Sequence, residues 1–161
     1  MAEQRKYTRT TKSTVKSKPV DEYGHLQPQA IDFEEAVLGA LMIEKDAYSI
    51  VSEILRPESF YDHKHQLLYR AIMTLAMRQQ PIDILTVAEQ LRSTGDLEEA
   101  GGPFYITQLS GKVASSAHIE YHARIIAQKF LARELITVTS NIQTKAFDET
   151  QDVDDLMQEA E

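Results

Sequence analysis

Residues 116–147 read "SAHIEYHARIIAQKFLARELITVTSNIQTKAF", 32 positions with neither proline nor glycine. Nothing in this run breaks a helix, so it predicts one helix of about 30 residues and near 45 Å. The residues before it form a head of roughly 90 residues, which is about 25–30 Å across. A helix that long cannot lie wholly on such a head, so part of it must project. The apolar pattern changes face to match. At about 100° per residue, Ile119, Ile126 and Phe130 share one face, while Leu131, Leu135, Val138, Ile142 and Ala146 share another. The first face is expected to dock on the head and the second to pack against a partner helix.

A third stripe is formed by Ile125, Ile136 and Phe147, spaced by eleven residues and so nearly in line after three turns. It reads equally as scattered surface apolar residues or as a contact for another protein or subunit. After the polar "DETQD", the stretch "VDDLMQEAE" resumes a helical pattern, with Asp152 as its cap. The expectation is a helical hairpin over 116–161. Its second arm is cut short at Glu161, as in a piece of a longer protein.

The head, residues 28–115, is helical throughout. "IDFEEAVLGALMIEK" opens with Asp32 three residues before Glu35, a capping box with Asp in the cap role. Phe33, Val37, Leu38, Leu41 and Met42 follow at three- and four-residue spacing. Gly39 in that interior points to another helix passing closely. Asp46 caps a short helix that Pro57 ends, and Asp62 caps a third, with Leu67, Leu68, Ala71, Ile72 and Leu75 inward and Pro81 ending it. "DILTVAEQLRSTG" is a fourth helix stopped by Gly95, and "PFYITQLSGKV" a fifth with Pro103 in its first turn. No stretch sustains the two-residue alternation of a sheet; "FYITQL" is the best strand candidate but would have no partner. The fold class is all-α.

Several functions are excluded by composition. There is no cysteine among the 161 residues, hence no disulfide, thiolate metal site or cysteine nucleophile. No apolar run approaches the roughly 20 residues that span a bilayer, and the expected location is cytoplasmic. The net charge of −8 is unevenly placed. Residues 1–27 hold Arg5, Lys6, Arg9, Lys12, Lys16 and Lys18 against Glu3, Asp21 and Glu22; the remainder carries 11 basic and 22 acidic residues. The tail reads as a disordered basic segment, and the acidic body as a poor non-specific binder of nucleic acid.

Catalytic signatures are missing. His118 and His122 lie one turn apart, but the glutamate of a zincin adjoins the first histidine, and here Glu120 stands two positions on. No third ligand is evident, so no metal is expected. His63 and His65 diverge by about 200° on a helix, with His65 inward and His63 outward. "GALMIEKD" lacks the second glycine and the Ser/Thr of a phosphate loop. A His-based metalloenzyme and a nucleic-acid binder acting through the basic tail remain the competing readings.

"QAIDFEEAVLGALMI", "ILRPESFYDHKHQLLYRAIMTL", "PIDILTVAEQLRSTGDLEEAGGPFYITQL" and "IEYHARIIAQKFLARELI", in that order, resemble the N-terminal domain of the bacterial replicative DNA helicase, the DnaB family. The resemblance runs from about residue 28 to 161. It implies an intact parent that unwinds duplex DNA 5′ to 3′ as a ring-shaped hexamer, with ATP and Mg held by a RecA-like motor domain absent from this chain. That motor would also make the main contacts with DNA. It implies for this part a collar of paired hairpins, a trimer of dimers, that recruits the C-terminal domain of primase, and a helicase loader as a further partner. No catalytic or cofactor-binding residue is carried over. Primase contact is assigned to Tyr105, Ile136 and Ile142, though Ile142 reads equally as buried within the hairpin and Tyr105 as packed in the head. Ile125, Leu135, Val138 and Phe147 form the candidate subunit or partner stripe.

Overall fold

In a computed structural model, which describes residues 24–112, 118–148 and 150–161, every regular element among the described residues is helical. The order is α1 (Ile31–Ile43), α2 (Ala47–Val51), a 3-10 turn (Pro57–Ser59), α3 (His63–Met77), α4 (Ile84–Thr94), α5 (Gly102–Ser110), α6 (Ile119–Ala146) and α7 (Val153–Ala160). Residues 1–23, which include all six basic residues of the tail, lie outside the described part, as do 113–117.

α1 is the centre of the head. It packs on α3, α5 and α6, and six consecutive residues, Val37 to Met42, are buried. A helix covered on all sides has no wet face, so α1 is surrounded rather than laid against one neighbour. Burying Val37, Leu38, Leu41 and Met42 contributes about 1.5–3 kcal/mol each. Gly39 lies buried in the middle of this run.

Helix ends follow local chemistry, with three corrections. Asp62 and Asp152 cap as expected, accepting from the backbone N–H of Lys64 and Asp154. Asp32 does not cap: Ala30, two residues earlier, is the cap of α1, and no side chain bonds there. The Asp32 carboxylate instead sits in the first turn, where its charge complements the helix dipole. Asp46 occupies the cap position of α2, yet its side chain makes no capping bond; its carbonyl takes the Ser49 hydroxyl at 2.7 Å. α3 stops at Met77, well before Pro81, because Gln79 adopts a left-handed φ of 55°. There the N–H groups of Gln79 and Gln80 close onto the carbonyls of Ala76 and Leu75, a Schellman closure that needs no proline. Gly95 (φ 83°) closes α4 in the same way, with Asp96 N–H on Leu91. "FYITQL" is helical, within α5.

α6 has 28 residues, about 42 Å. Its first half belongs to the head, where Ile119, Ala123 and Ile126 join the core. Arg133 is its last buried residue, and α7 packs on α6.

A buried polar joint and an exposed helical hairpin

Two features stand out on this scaffold: a polar joint inside the head and an apolar surface on the projecting arm. The joint begins with Glu34 on α1, which is 1% exposed. Its Oε1 accepts from the Tyr61 N–H at 2.6 Å, and its Oε2 lies 2.6 Å from His65 Nδ1 and 3.4 Å from the Asp62 N–H. A carboxylate can only accept, so Nδ1 of His65 carries the proton. His65 Nε2 lies 2.7 Å from the Tyr105 hydroxyl oxygen, within hydrogen-bond distance, and the two rings stack with centroids 6.2 Å apart. The Tyr105 oxygen also lies 3.4 Å from Glu35 Oε1, and Glu35 pairs with Lys112 at 3.2 Å. Burial, then the nearby Glu35 and Asp62 carboxylates, hold the Tyr105 phenol well above its ordinary range.

On the far side of the 59–62 segment sits Arg133 of α6. Its guanidinium donates to the Pro28 carbonyl at 2.7 Å and to the Ser59 carbonyl at 2.9 Å. It also faces the rings of Tyr61 and Phe130, at 5.3 and 5.8 Å. Burial pushes the Arg133 pKa down, and the charge of Glu34 opposes that most strongly among its neighbours. The charge is therefore buried with two carbonyl acceptors and an opposite charge to offset it, as a buried ion requires.

The arm is different. α7 packs on α6 through Leu156, its one buried residue, and through Lys145 Nζ, which meets both Glu159 oxygens at 2.7 Å. Around that contact the apolar residues stay wet. Leu135 is 64% exposed, Val138 46% and Phe147 83%, with Leu131, Val153 and Met157 also exposed. Exposed apolar residues gathered on one arm signal a missing neighbour.

Of the residues singled out by sequence, Leu135, Val138 and Phe147 are exposed on α6 and its end, whereas Ile125, Ile136 and Ile142 are half-buried. Tyr105 is half-buried and tied into the joint through its hydroxyl. It stands on a different element from the arm residues. His63 is exposed and meets Glu99 at 2.9 Å, while His65 is fully buried. His122 packs edge-on against Phe33, with centroids 5.1 Å apart, and its ring lies 6.5 Å from that of His118. No cluster of three or more potential metal ligands occurs among the described residues. Sequence reasoning treated His65 as packing and passed over Glu34 and Arg133. A charge at a position that the helical period places inward was the available signal for both.

These features define an all-helical head from which an apolar-faced helical arm projects. The family described as DnaB-like helicase N terminal domain matches residues 26–128. Replicative DNA helicase DnaB of Rhodothermus marinus is 47% identical over 138 residues, 86% of this chain and 15% of that protein. Replicative DNA helicase DnaC of Bacillus subtilis (strain 168) is 40% identical, over 84% of this chain and 30% of that protein. Among solved structures, the N-terminal domain of DnaB helicase from Mycobacterium tuberculosis superposes with a TM-score of 0.78 at 36% identity, covering 83% of this chain and 94% of that one. A structure described as a DnaB-like replicative helicase and its interactions with primase matches with a TM-score of 0.68 at 26% identity, over 81% of this chain and 31% of that one. The chain belongs to the DnaB-like helicase N-terminal domain family. It spans 15–30% of the length of these curated relatives.

Proposed function

We propose that this chain is the collar module of a replicative DNA helicase, pairing with copies of itself through the α6–α7 arm and recruiting primase during chromosome replication. The observation that carries this is the exposed apolar surface of the arm, with Leu135, Val138 and Phe147 open to solvent. In a collar that surface would be covered by the arm of a second copy, and pairs of arms would join into a trimer of dimers. The parent would unwind duplex DNA 5′ to 3′ in the cytoplasm. ATP and Mg would be bound, and DNA mainly gripped, by a motor domain outside this chain, which itself contributes no catalytic group. The similar structure whose description names primase supports a primase contact, here assigned to Tyr105, Ile136 and Ile142. A loader would be a further partner.

Light scattering over a concentration series tests this. The expected result is a dimer or larger species that adds the mass of the cognate primase C-terminal domain. Leu135→Asp with Val138→Asp should shift self-association to higher concentration by at least tenfold, since burying two such side chains is worth about 3–6 kcal/mol. A folded chain that stays monomeric and ignores primase at the highest concentration defeats the reading for this chain.

A further inference from the structure

The joint and the arm meet at one short segment. Ser59 offers its carbonyl to Arg133, and two residues later Tyr61 offers its N–H to Glu34. That segment is thus gripped from the hairpin side by α6 and from the head side by α1. Glu34 in turn holds His65, and His65 holds the hydroxyl of the half-buried Tyr105. Arg133 is the last buried residue of α6, so the direction in which the arm leaves the head is set there and not farther along.

The geometry points to a mechanical relay: Arg133 is a latch that fixes the angle of the arm, and the Tyr105 hydroxyl, 28 residues away in sequence and on another helix, holds that latch closed through His65 and Glu34. A group that draws the Tyr105 hydroxyl away from His65 leaves His65 Nε2 unpaired and frees the imidazole to turn. Glu34 then loses one of its fixed partners, and its hold on the 59–62 segment weakens. Arg133 alone then defines the joint. The carriers are hydrogen bonds and one shared backbone segment, a physical connection that mutational coupling can test. The relay works within one chain, so it stands or falls separately from self-pairing and from primase.

The absence of cysteine allows two spin labels to be placed at will. Cysteines at exposed Ser93 on α4 and Asn141 on α6 straddle the joint. Asn141 lies eight residues past Arg133, about 12 Å along the helix, so a tilt near 20° moves it by roughly 4 Å. The full 161-residue chain is labelled and diluted with unlabelled protein, so that only intramolecular distances count. One narrow distance distribution is expected for the parent. Arg133→Met, which keeps length and loses both donors, should broaden and shift it by that amount. If Arg133→Met does not fold by circular dichroism, Arg133→Lys serves, since an ammonium cannot make the same fork to two carbonyls. Tyr105→Phe should move the distribution the same way, and adding it to the Arg133 variant should change nothing further. Tyr69→Phe, which removes a buried hydroxyl bonded to the Leu55 carbonyl, should leave the distance alone. The relay is overturned if the Arg133 variant keeps the parent distance, if Tyr105→Phe does, if the two shifts add, or if Tyr69→Phe moves the arm equally.

Discussion

Replacing Glu34 tests the centre of the joint, because two substitutions at that position should differ greatly. Alanine leaves the Tyr61 N–H and the His65 Nδ1–H buried with no acceptor; these are the two short bonds, both 2.6 Å. Each orphaned donor costs about 1–3 kcal/mol, more than the bond itself contributed. Arg133 also loses the opposing charge that most strongly offsets its burial. The sum is about 3–5 kcal/mol, or a fall of roughly 10–15 °C in Tm for a chain of this size. Glutamine keeps an oxygen for the Tyr61 N–H and turns an NH2 toward His65. The imidazole can answer by changing tautomer: Nδ1 accepts, Nε2–H donates to the Tyr105 oxygen, and that hydroxyl donates to Glu35, 3.4 Å away. Only the charge-assisted part is then lost, about 1–2 kcal/mol. Thermal and urea unfolding followed by circular dichroism measure both, provided the transition is two-state. Equal losses for Glu34→Ala and Glu34→Gln, or a loss under 1 kcal/mol for alanine, would refute the reasoning.

Three further outcomes are expected. Gly101→Ala should destabilise by about 2–3 kcal/mol, because φ is +103° and a Cβ would stand 2.6 Å from the Tyr105 ring, whereas Gly95→Ala, at φ +83° with open space around it, should lose only about 1 kcal/mol; paired urea melts compare them. Burial raises the Tyr69 pKa above its ordinary 10.0, so above pH 10 the unfolded chain sheds that proton and the folded one keeps it. Stability is then fully present below pH 10 and falls as pH rises beyond it, by about 1.4 kcal/mol per pH unit from this residue; Tyr69→Phe should flatten the slope of stability between pH 10 and 11. Leu156→Ala should abolish amide protection across 153–160 in hydrogen exchange while the head keeps its own, since Leu156 is the one buried residue of α7; equal loss of protection in α1 or α3 would show that the arm and head unfold together.

Much of the fold was legible because its signals are local. The proline- and glycine-free run at 116–147 gave α6 to within three residues at its start and one at its end, and Gly95 and the Asp62 and Asp152 caps were read from single residues and their neighbours. α1 was harder. Six consecutive buried residues erase the polar stripe that periodicity needs, so a centrally placed helix reads as amphipathic from its sequence when it is enclosed. The Asp32 box failed because an acidic residue in the first turn and one at the cap give the same pattern. α3 overran toward Pro81 because a left-handed glutamine is a rare stop with no sequence mark.

The joint was invisible for a different reason: its members are 31, 40 and 74 residues apart in pairwise contacts, and no local spacing links Glu34 to His65, His65 to Tyr105 or Arg133 to Ser59. What the sequence did contain was a conflict. Arg133 falls fourteen residues after Ile119 and seven after Ile126, on the face that docks to the head, and a charge on a docking face is costly unless something inside receives it. That conflict demands buried carbonyl acceptors and an opposing carboxylate, which is what the Ser59 and Pro28 carbonyls and Glu34 supply. An apolar residue there would pack without such partners and could slide along the head. A guanidinium forked between two fixed carbonyls has one register, and a module whose arm would pair with another arm, as proposed, has more use for register than for the extra stability an apolar contact would bring.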